Sequence, residues 1–393
     1  MKVYLDHAAT TALEERALEK MIPYMTQKFG NASSLHSFGR EATTAVDDAR
    51  ERIASLLGCA SGEIYFTSGG TESDNWALFG VVSACKKDKK HIVTTTIEHP
   101  AVLSACKELE KRGVEVTYIG VDESGIVKTE DVIRAVRDDT VLVSVMYANN
   151  EIGSIQPISE IGRFCREKGI YFHTDAVQAI GSIKIDVQKD NVDLLSFSSH
   201  KFYGPKGIGA LYVRKGVPID KLIFGGEQER NKRAGTTNTP GIVGTAEALS
   251  LVYSEAEKNN AFVRSLRDRF IERVEREIPC CCLNGDVTDR LPGNANFCFN
   301  HVPAESVLMA LDRKGIAVSS GSACSSGSLE PSHVLTAIGK TPEEARSSVR
   351  FSFGKDNTYE EVDYVADVLK ETVEKIRNWT PLYKPLESKG YKV

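Results

Sequence analysis

No stretch of this chain is long and apolar enough to span a bilayer, and the opening MKVYLDHAATT lacks the apolar core of a signal peptide. A cytosolic location is the expectation that follows. There is no run of basic residues, and 49 Lys and Arg against 54 Asp and Glu leave a net charge of −5. The electrostatic footprint of a nucleic-acid binder is therefore missing. None of the nine cysteines makes a CxxC pair, and in a reducing compartment they are expected as free thiols. Adjacent residues such as Cys280, Cys281 and Cys282 cannot easily converge on one tetrahedral ion, so a strand edge or loop with incidental thiols is expected there. Internal repeats and low-complexity segments are absent as well.

What is present is ordinary for a soluble globular protein: 41% hydrophobic and 26% charged residues. At 393 residues the chain exceeds what one core fills, so two domains are expected. From Glu41, the residues Ala42, Ala45, Val46, Ala49, Ile53, Leu56 and Leu57 share one helical face, and Gly58 stops the helix. Strand and helix patterns then alternate: EIYFT, TESDNWALFGVVSAC, HIVTTT, PAVLSACKELEKR, VEVTYIG, TEDVIRAVRD, TVLVSVMYA, ISEIGRFCREKG and IYFHTDA. The strands are apolar with little alternation, which predicts a mostly parallel α/β sheet covered on both faces. One long helical stretch is predicted from Pro240 to about Ile278, and short strands (NANFCFN, VRFSFG) and helices beyond it predict a smaller α+β domain. The N-terminal segment is expected to return to that domain. The boundaries expected are 16–255 for the large domain, and 1–15 with 256–393 for the small one.

Val192 to Val213 reads as two strands joined by a loop that carries Ser198, Ser199, His200 and Lys201. A lysine in apolar surroundings loses its proton readily and can form a Schiff base. In an open parallel sheet ligands bind at the carboxyl ends of the strands, and four such ends carry chemistry. Gly69, Gly70 and Thr71 open a helix, where free N–H groups favour a phosphate. His99 follows the next strand and could stack on an aromatic ring. Asn149, Asn150 and Glu151 end another strand. Asp175 ends a fourth, with Gln178 after it, and a carboxylate there could keep a pyridinium nitrogen protonated. Each feature alone has a structural explanation: a helix cap, an Asn-rich turn or a solvated loop lysine. Together they are the parts for pyridoxal phosphate. Far downstream, Cys324 lies among Ser, Gly and Ala, with nothing large beside it to bury it. A mobile, exposed loop suited to a nucleophilic thiol is expected there.

With these residues in view, LDHAATT, GGTESDN, IEHPAV, NNEIG, HTDAVQ, SFSSHKFYGPKG, RAGTTN and SSGSACSSGSLEPSHVL resemble the NifS/IscS-type cysteine desulfurases. These are pyridoxal-phosphate enzymes of the class V aminotransferase group with the fold-type I architecture. The resemblance runs nearly end to end. Its small departures are Gly70, where alanine is frequent, and Ser325, where threonine is frequent. It implies that Lys201 holds the cofactor covalently, that Asp175 pairs with the ring nitrogen, that Gln178 bonds the ring hydroxyl and that His99 stacks on the ring. It gives the phosphate to Gly70, Thr71, Ser198 and His200, joined by Thr236 from a second subunit of a homodimer. It gives the substrate carboxylate to Asn150 and Arg350. L-cysteine becomes alanine while Cys324 takes the sulfur as a persulfide, for an acceptor such as an iron–sulfur scaffold or a tRNA-thiolation enzyme. No metal site is implied beyond Cys324 as a transient iron–sulfur ligand. The competing readings are a selenocysteine lyase, a class V aminotransferase, which has no need of Cys324, and a cluster-assembly platform in which partner binding outweighs turnover.

Overall fold

The computed structural model describes residues 1–320 and 330–379. Its strands in chain order are β1 (Val3–Tyr4), β2 (Ile64–Thr67), β3 (His91–Thr95), β4 (Glu115–Ile119), β5 (Thr140–Ser144) and β6 (Tyr171–Asp175), followed by β7 (Leu194–Ser198), β8 (Gly209–Val213), β9 (Cys281–Asn284), β10 (Asn294–Phe299), β11 (Ile316–Ala317) and β12 (Ser348–Ser352). Seven of them form one sheet in the order β2-β8-β7-β6-β5-β3-β4. The pairs from β7 to β4 are parallel, and β8 runs antiparallel to both of its neighbours. Every residue of β3, β5, β7 and β8 is buried, which is why these strands read as continuous apolar runs. Helices cover both faces. On one side, the helix Ser37–Leu57 buries Val46, Ala49, Ile53 and Leu57, and Gly58 ends it at φ 73°, a left-handed conformation that suits glycine. On the other, the helix Gly70–Ala84 buries Trp76, Leu78 and Val81.

A second core surrounds the antiparallel sheet β12-β10-β9. The inward face of that sheet carries Phe297, Phe299, Val349 and Phe351, which pack on the helices Ala256–Glu277 and Tyr359–Trp379. The chain's first residues return here: β1 pairs in parallel with β11, and Leu5 is buried in this core. A small cluster of Ile97, Met146, Ile152, Val334, Leu335 and Ile338 ties the loops after β3 and β5 to the segment that follows residue 330.

The long helical stretch expected from Pro240 is two helices, Thr239–Ser254 and Ala256–Glu277, because Glu255 leaves the helical range at φ −104° and ψ 3°. Neither Gly nor Pro marks that break. The helix Glu15–Thr26 also lacks a clear signal, since Pro23 lies within it. No described helix is long and apolar enough to cross a membrane.

Candidate active site

The carboxyl ends of β3, β5, β6 and β7 open into a cavity of about 490 Å³. Lining it are Ala8, Ala9, Gly70, Thr71, Asp74, His99, Asn150, Glu151, Asp175, Gln178, Ser198, His200, Lys201, His333 and Arg350, among others. Residues from eight separate chain segments thus meet in one place. Lys201 sits at the end of a single 3-10 turn after β7, and Phe202, fully buried behind it, fixes the turn. Its Nζ donates to the carbonyls of Ala8 at 2.5 Å and Ala9 at 2.8 Å. The surroundings of this amine are therefore partly polar, where the sequence suggested an apolar pocket. The N-terminal segment that supplies those carbonyls is almost two hundred residues distant in sequence. Gln178 donates to the same Ala8 carbonyl at 2.9 Å.

Asp175 is buried at the end of β6, and its Oδ1 accepts the Val177 amide at 2.9 Å. Burial pushes its carboxyl up, while His99 and Lys201 act in the opposite direction. Thr71 and Asp74 are three apart on the helix that starts at Gly70, so both project from its first turn toward the cavity. Asp74 is fully buried and its carboxyl is raised by burial and then by Asp175, while its Oδ1 has no hydrogen-bond partner. Ligand atoms of Asp74, His99 and Asp175 all lie within 4.8 Å of one another. Behind them His173 is held between Ser144 and Ser196 at 2.8 and 3.0 Å, and burial pushes its imidazole down to about 3.

His99 caps the helix Pro100–Lys111, its Nδ1 accepting the Ala101 amide at 3.1 Å. Burial lowers its pKa, so the ring is neutral and its proton sits on Nε2. Glu98, one residue earlier, accepts from Thr95 Oγ1 at 2.7 Å and from the Met146 amide at 2.9 Å, and burial raises its carboxyl to about 8. His200 contacts Thr10 Oγ1 at 3.1 Å, and burial, then Lys201 and Lys206, push it down to about 4.

The far wall is the polar face of the small sheet. Arg350, only 2% exposed on β12, donates to the Asn150 carbonyl and to Asp6 Oδ1, both at 2.8 Å. Glu151 accepts the Ser332 hydroxyl at 2.6 Å, and His333 Nε2 lies 3.0 Å from the Glu98 carbonyl. These two contacts secure the chain at Ser332 and His333.

One expected residue lies outside this cavity, and another falls outside the described residues. Thr236 is exposed and lines a separate groove with Ser68, Gly207 and Arg233. Cys324 lies outside the described residues, as does Ser325. Asp74, Glu98, His173 and His333 were not singled out in the sequence. Asp74 had a usable signal in its three-residue spacing from Thr71, whereas Glu98 and His173 read as interior strand and loop residues.

Comparison with known proteins gives one family and consistent relatives. The family described as aminotransferase class-V matches residues 3–365. A cysteine desulfurase IscS of Methanosarcina thermophila is 54% identical over 97% of this chain and 94% of its own length. One from Dictyoglomus turgidum is 53% identical over 97% and 96%. Among solved structures, a NifS-like protein superposes with a TM-score of 0.90 at 40% identity, covering 95% of this chain and all of that one. A structure described as SspA in complex with cysteine has a TM-score of 0.80 at 37% identity, covering 91% of this chain and all of that one.

Proposed function

The chain belongs to the aminotransferase class-V family and is a cysteine desulfurase, and from that premise we propose how its residues divide the work. The reading rests on one observation: an amine (Lys201), a buried carboxyl (Asp175), a helix start (Gly70, Thr71) and an arginine (Arg350) face one cavity. The cofactor proposed is pyridoxal phosphate, and the donor set fits it. Gly70 has no Cβ where one would stand 2.6 Å from Val177 Cγ2, which leaves the backbone at the helix start approachable by a phosphate. Asp175 and Asp74 supply carboxyl oxygens for a ring nitrogen, and Asp74 Oδ1 is buried without a hydrogen bond. When bound, pyridoxal phosphate supplies an electron sink for the pair left by removal of an α-proton.

Lys201 Nζ would hold the cofactor through its aldehyde carbon and, as a free amine, would take the substrate's α-proton. Gln178 and His99 orient the ring, His99 as a neutral imidazole with its proton on Nε2. Ser198 and His200 join Gly70 and Thr71 around the phosphate. Arg350 and Asn150 bind the carboxylate of L-cysteine, which an arginine grips with two bonds. The Cys324 thiolate attacks the substrate sulfur; the S–S bond forms as the C–S bond breaks, the β-carbon takes a proton, the α-carbon regains the one Lys201 removed, and alanine leaves. The enzyme is left with a persulfide.

The working form is a homodimer in which Thr236 reaches the neighbouring subunit's phosphate site, and the persulfide sulfur passes to an acceptor protein such as an iron–sulfur scaffold. Support for the dimer comes from large apolar side chains left exposed between residues 25 and 38: Met25, Phe29, Leu35 and Phe38. The test of the site is borohydride reduction of the holoenzyme followed by peptide mapping. The pyridoxyl group is expected on Lys201, and Lys201→Ala should lose the visible band. A pyridoxyl group on Lys206 would overturn the assignment.

A further inference from the structure

Away from the cavity, the polar face of the small sheet carries a second group of nucleophiles. Cys282 on the edge strand β9 lies directly opposite Cys298 on β10. The backbone bond from the Asn300 amide to the Cys280 carbonyl sets the alternation of this ladder, so that the Cys282–Cys298 pair is of the hydrogen-bonded kind. Opposed residues of that kind have Cα atoms about 5.5 Å apart, inside the Cα range of a disulfide, and closing the bond requires their Cβ atoms, about 5 Å apart, to draw together at this edge strand. The Cys298 thiol is buried and faces Cys282 and, at 3.3 Å, Asn300 Oδ1. Lys340, in the turn between the helices His333–Ala337 and Pro342–Arg346, donates its Nζ to Cys282 Sγ at 3.3 Å. Cys282 is half-buried and Cys298 fully buried, so a small reagent meets Cys282 first. Glu344, four residues on from Lys340, acts in the opposite direction on the Cys282 thiol.

These contacts shift the two thiols apart. The hydrogen bond with Cys298, followed by the Lys340 ammonium, lowers the Cys282 pKa against the effect of burial, and Glu344 offsets only part of this. The same hydrogen bond, with burial, pushes Cys298 up. A thiolate beside a cation with a protonated thiol across the ladder is the arrangement of an attacking and a resolving cysteine.

We propose that Cys282, Cys298 and Lys340 form a peroxide-reactive dithiol site, separate from the desulfurase cavity. The Cys282 thiolate attacks one oxygen of a hydroperoxide; the S–O bond forms, the O–O bond breaks, and hydroxide leaves to be protonated to water. Cys298 sulfur then attacks the Cys282 sulfenic acid. The S–S bond forms, the S–O bond breaks, and the oxygen leaves as water with the Cys298 proton. The two sulfurs together give up two electrons, and the hydroperoxide takes them. This departs from the expectation that the cysteines at 280–282 are incidental.

The test uses the holoenzyme. A short iodoacetamide pulse at a pH of about 6.5, well below the usual thiol pKa of about 8.5, should alkylate Cys282 ahead of Cys280, which is more exposed. Lys340→Gln should slow Cys282 about threefold at that pH, the fall in thiolate fraction when a pKa of about 6 rises by one unit. Limiting hydrogen peroxide should join the tryptic peptides on either side of Arg290 through Cys282 and Cys298, with loss of two hydrogens. In Cys298→Ser the link should be replaced by a dimedone adduct on Cys282. Alkylation of Cys280 as fast as Cys282 in the parent protein, or a peroxide-treated parent with neither link nor sulfenic acid at Cys282, would overturn the proposal.

Discussion

At the scale of single residues, Glu98 shows how burial converts position into pH dependence. Its carboxyl is held up at about 8 by burial, with Oε2 lacking a partner, whereas an unperturbed glutamate loses its proton near 4.5. Between those two values the folded chain binds the extra proton. The contribution to stability is therefore complete below about pH 4.5 and is lost as pH rises through about 8. Glu98→Gln, which imitates the protonated form, should flatten the fall in melting temperature over that interval, measured by thermal denaturation in a pH series. A variant with the parent's slope would show that Glu98 is not the group responsible. Lys201, Asp175 and His99 were legible in the sequence because each ends or follows a recognisable strand, whereas Arg350 came from the family resemblance alone. Glu98 was not, since a carboxylate beside a histidine looks the same whether buried or solvated. The Ala8 and Ala9 carbonyls that receive Lys201 Nζ were beyond reach too, because only tertiary folding brings residue 8 to residue 201.

Between elements, the start of the helix Gly70–Ala84 meets the turn after β6 at close quarters. A Cβ on Gly70 would stand 2.6 Å from Val177 Cγ2, so the two positions are coupled sterically. Gly70→Ala alone should weaken pyridoxal-phosphate affinity by displacing the helix start or the Asp175–Gln178 turn. Gly70→Ala combined with Val177→Ala should recover most of the loss. Fluorescence titration of the apo forms measures this, and additive losses in the double variant would contradict the coupling. This also gives a physical reason for Gly70 at a position where alanine is frequent. The long strands were legible for a related reason: β3, β5, β7 and β8 are buried throughout, so apolar runs mark them without alternation. The two-residue strands β1 and β11 carry no pattern of their own and exist through pairing with each other. The break at Glu255 was equally silent, lying between a mostly apolar helix and a charged one with no glycine or proline beside it.

For the whole molecule, the exposed position of Thr236 in a groove apart from the cavity makes its proposed role a matter of assembly. Loss of one hydrogen bond to a charged group costs about 1.5–3 kcal/mol, so Thr236→Ala should weaken cofactor binding yet keep activity when cofactor saturates. Mixed with Lys201→Ala under conditions that exchange subunits, each heterodimer has one site with both defects and one site intact. At limiting cofactor the mixture should exceed the activity of its two parents; heterodimers without that gain would put Thr236 in its own subunit's site. The desulfurase account as a whole stands or falls on where the sulfur goes. Incubation of the holoenzyme with L-cysteine, with alanine quantified and the protein mapped by mass spectrometry, reads this directly. One alanine should appear for each persulfide, the persulfide should sit on Cys324, and Cys324→Ala should keep the visible band while forming neither. Alanine released at an undiminished rate by Cys324→Ala, or sulfane sulfur found on another cysteine in its place, would contradict it.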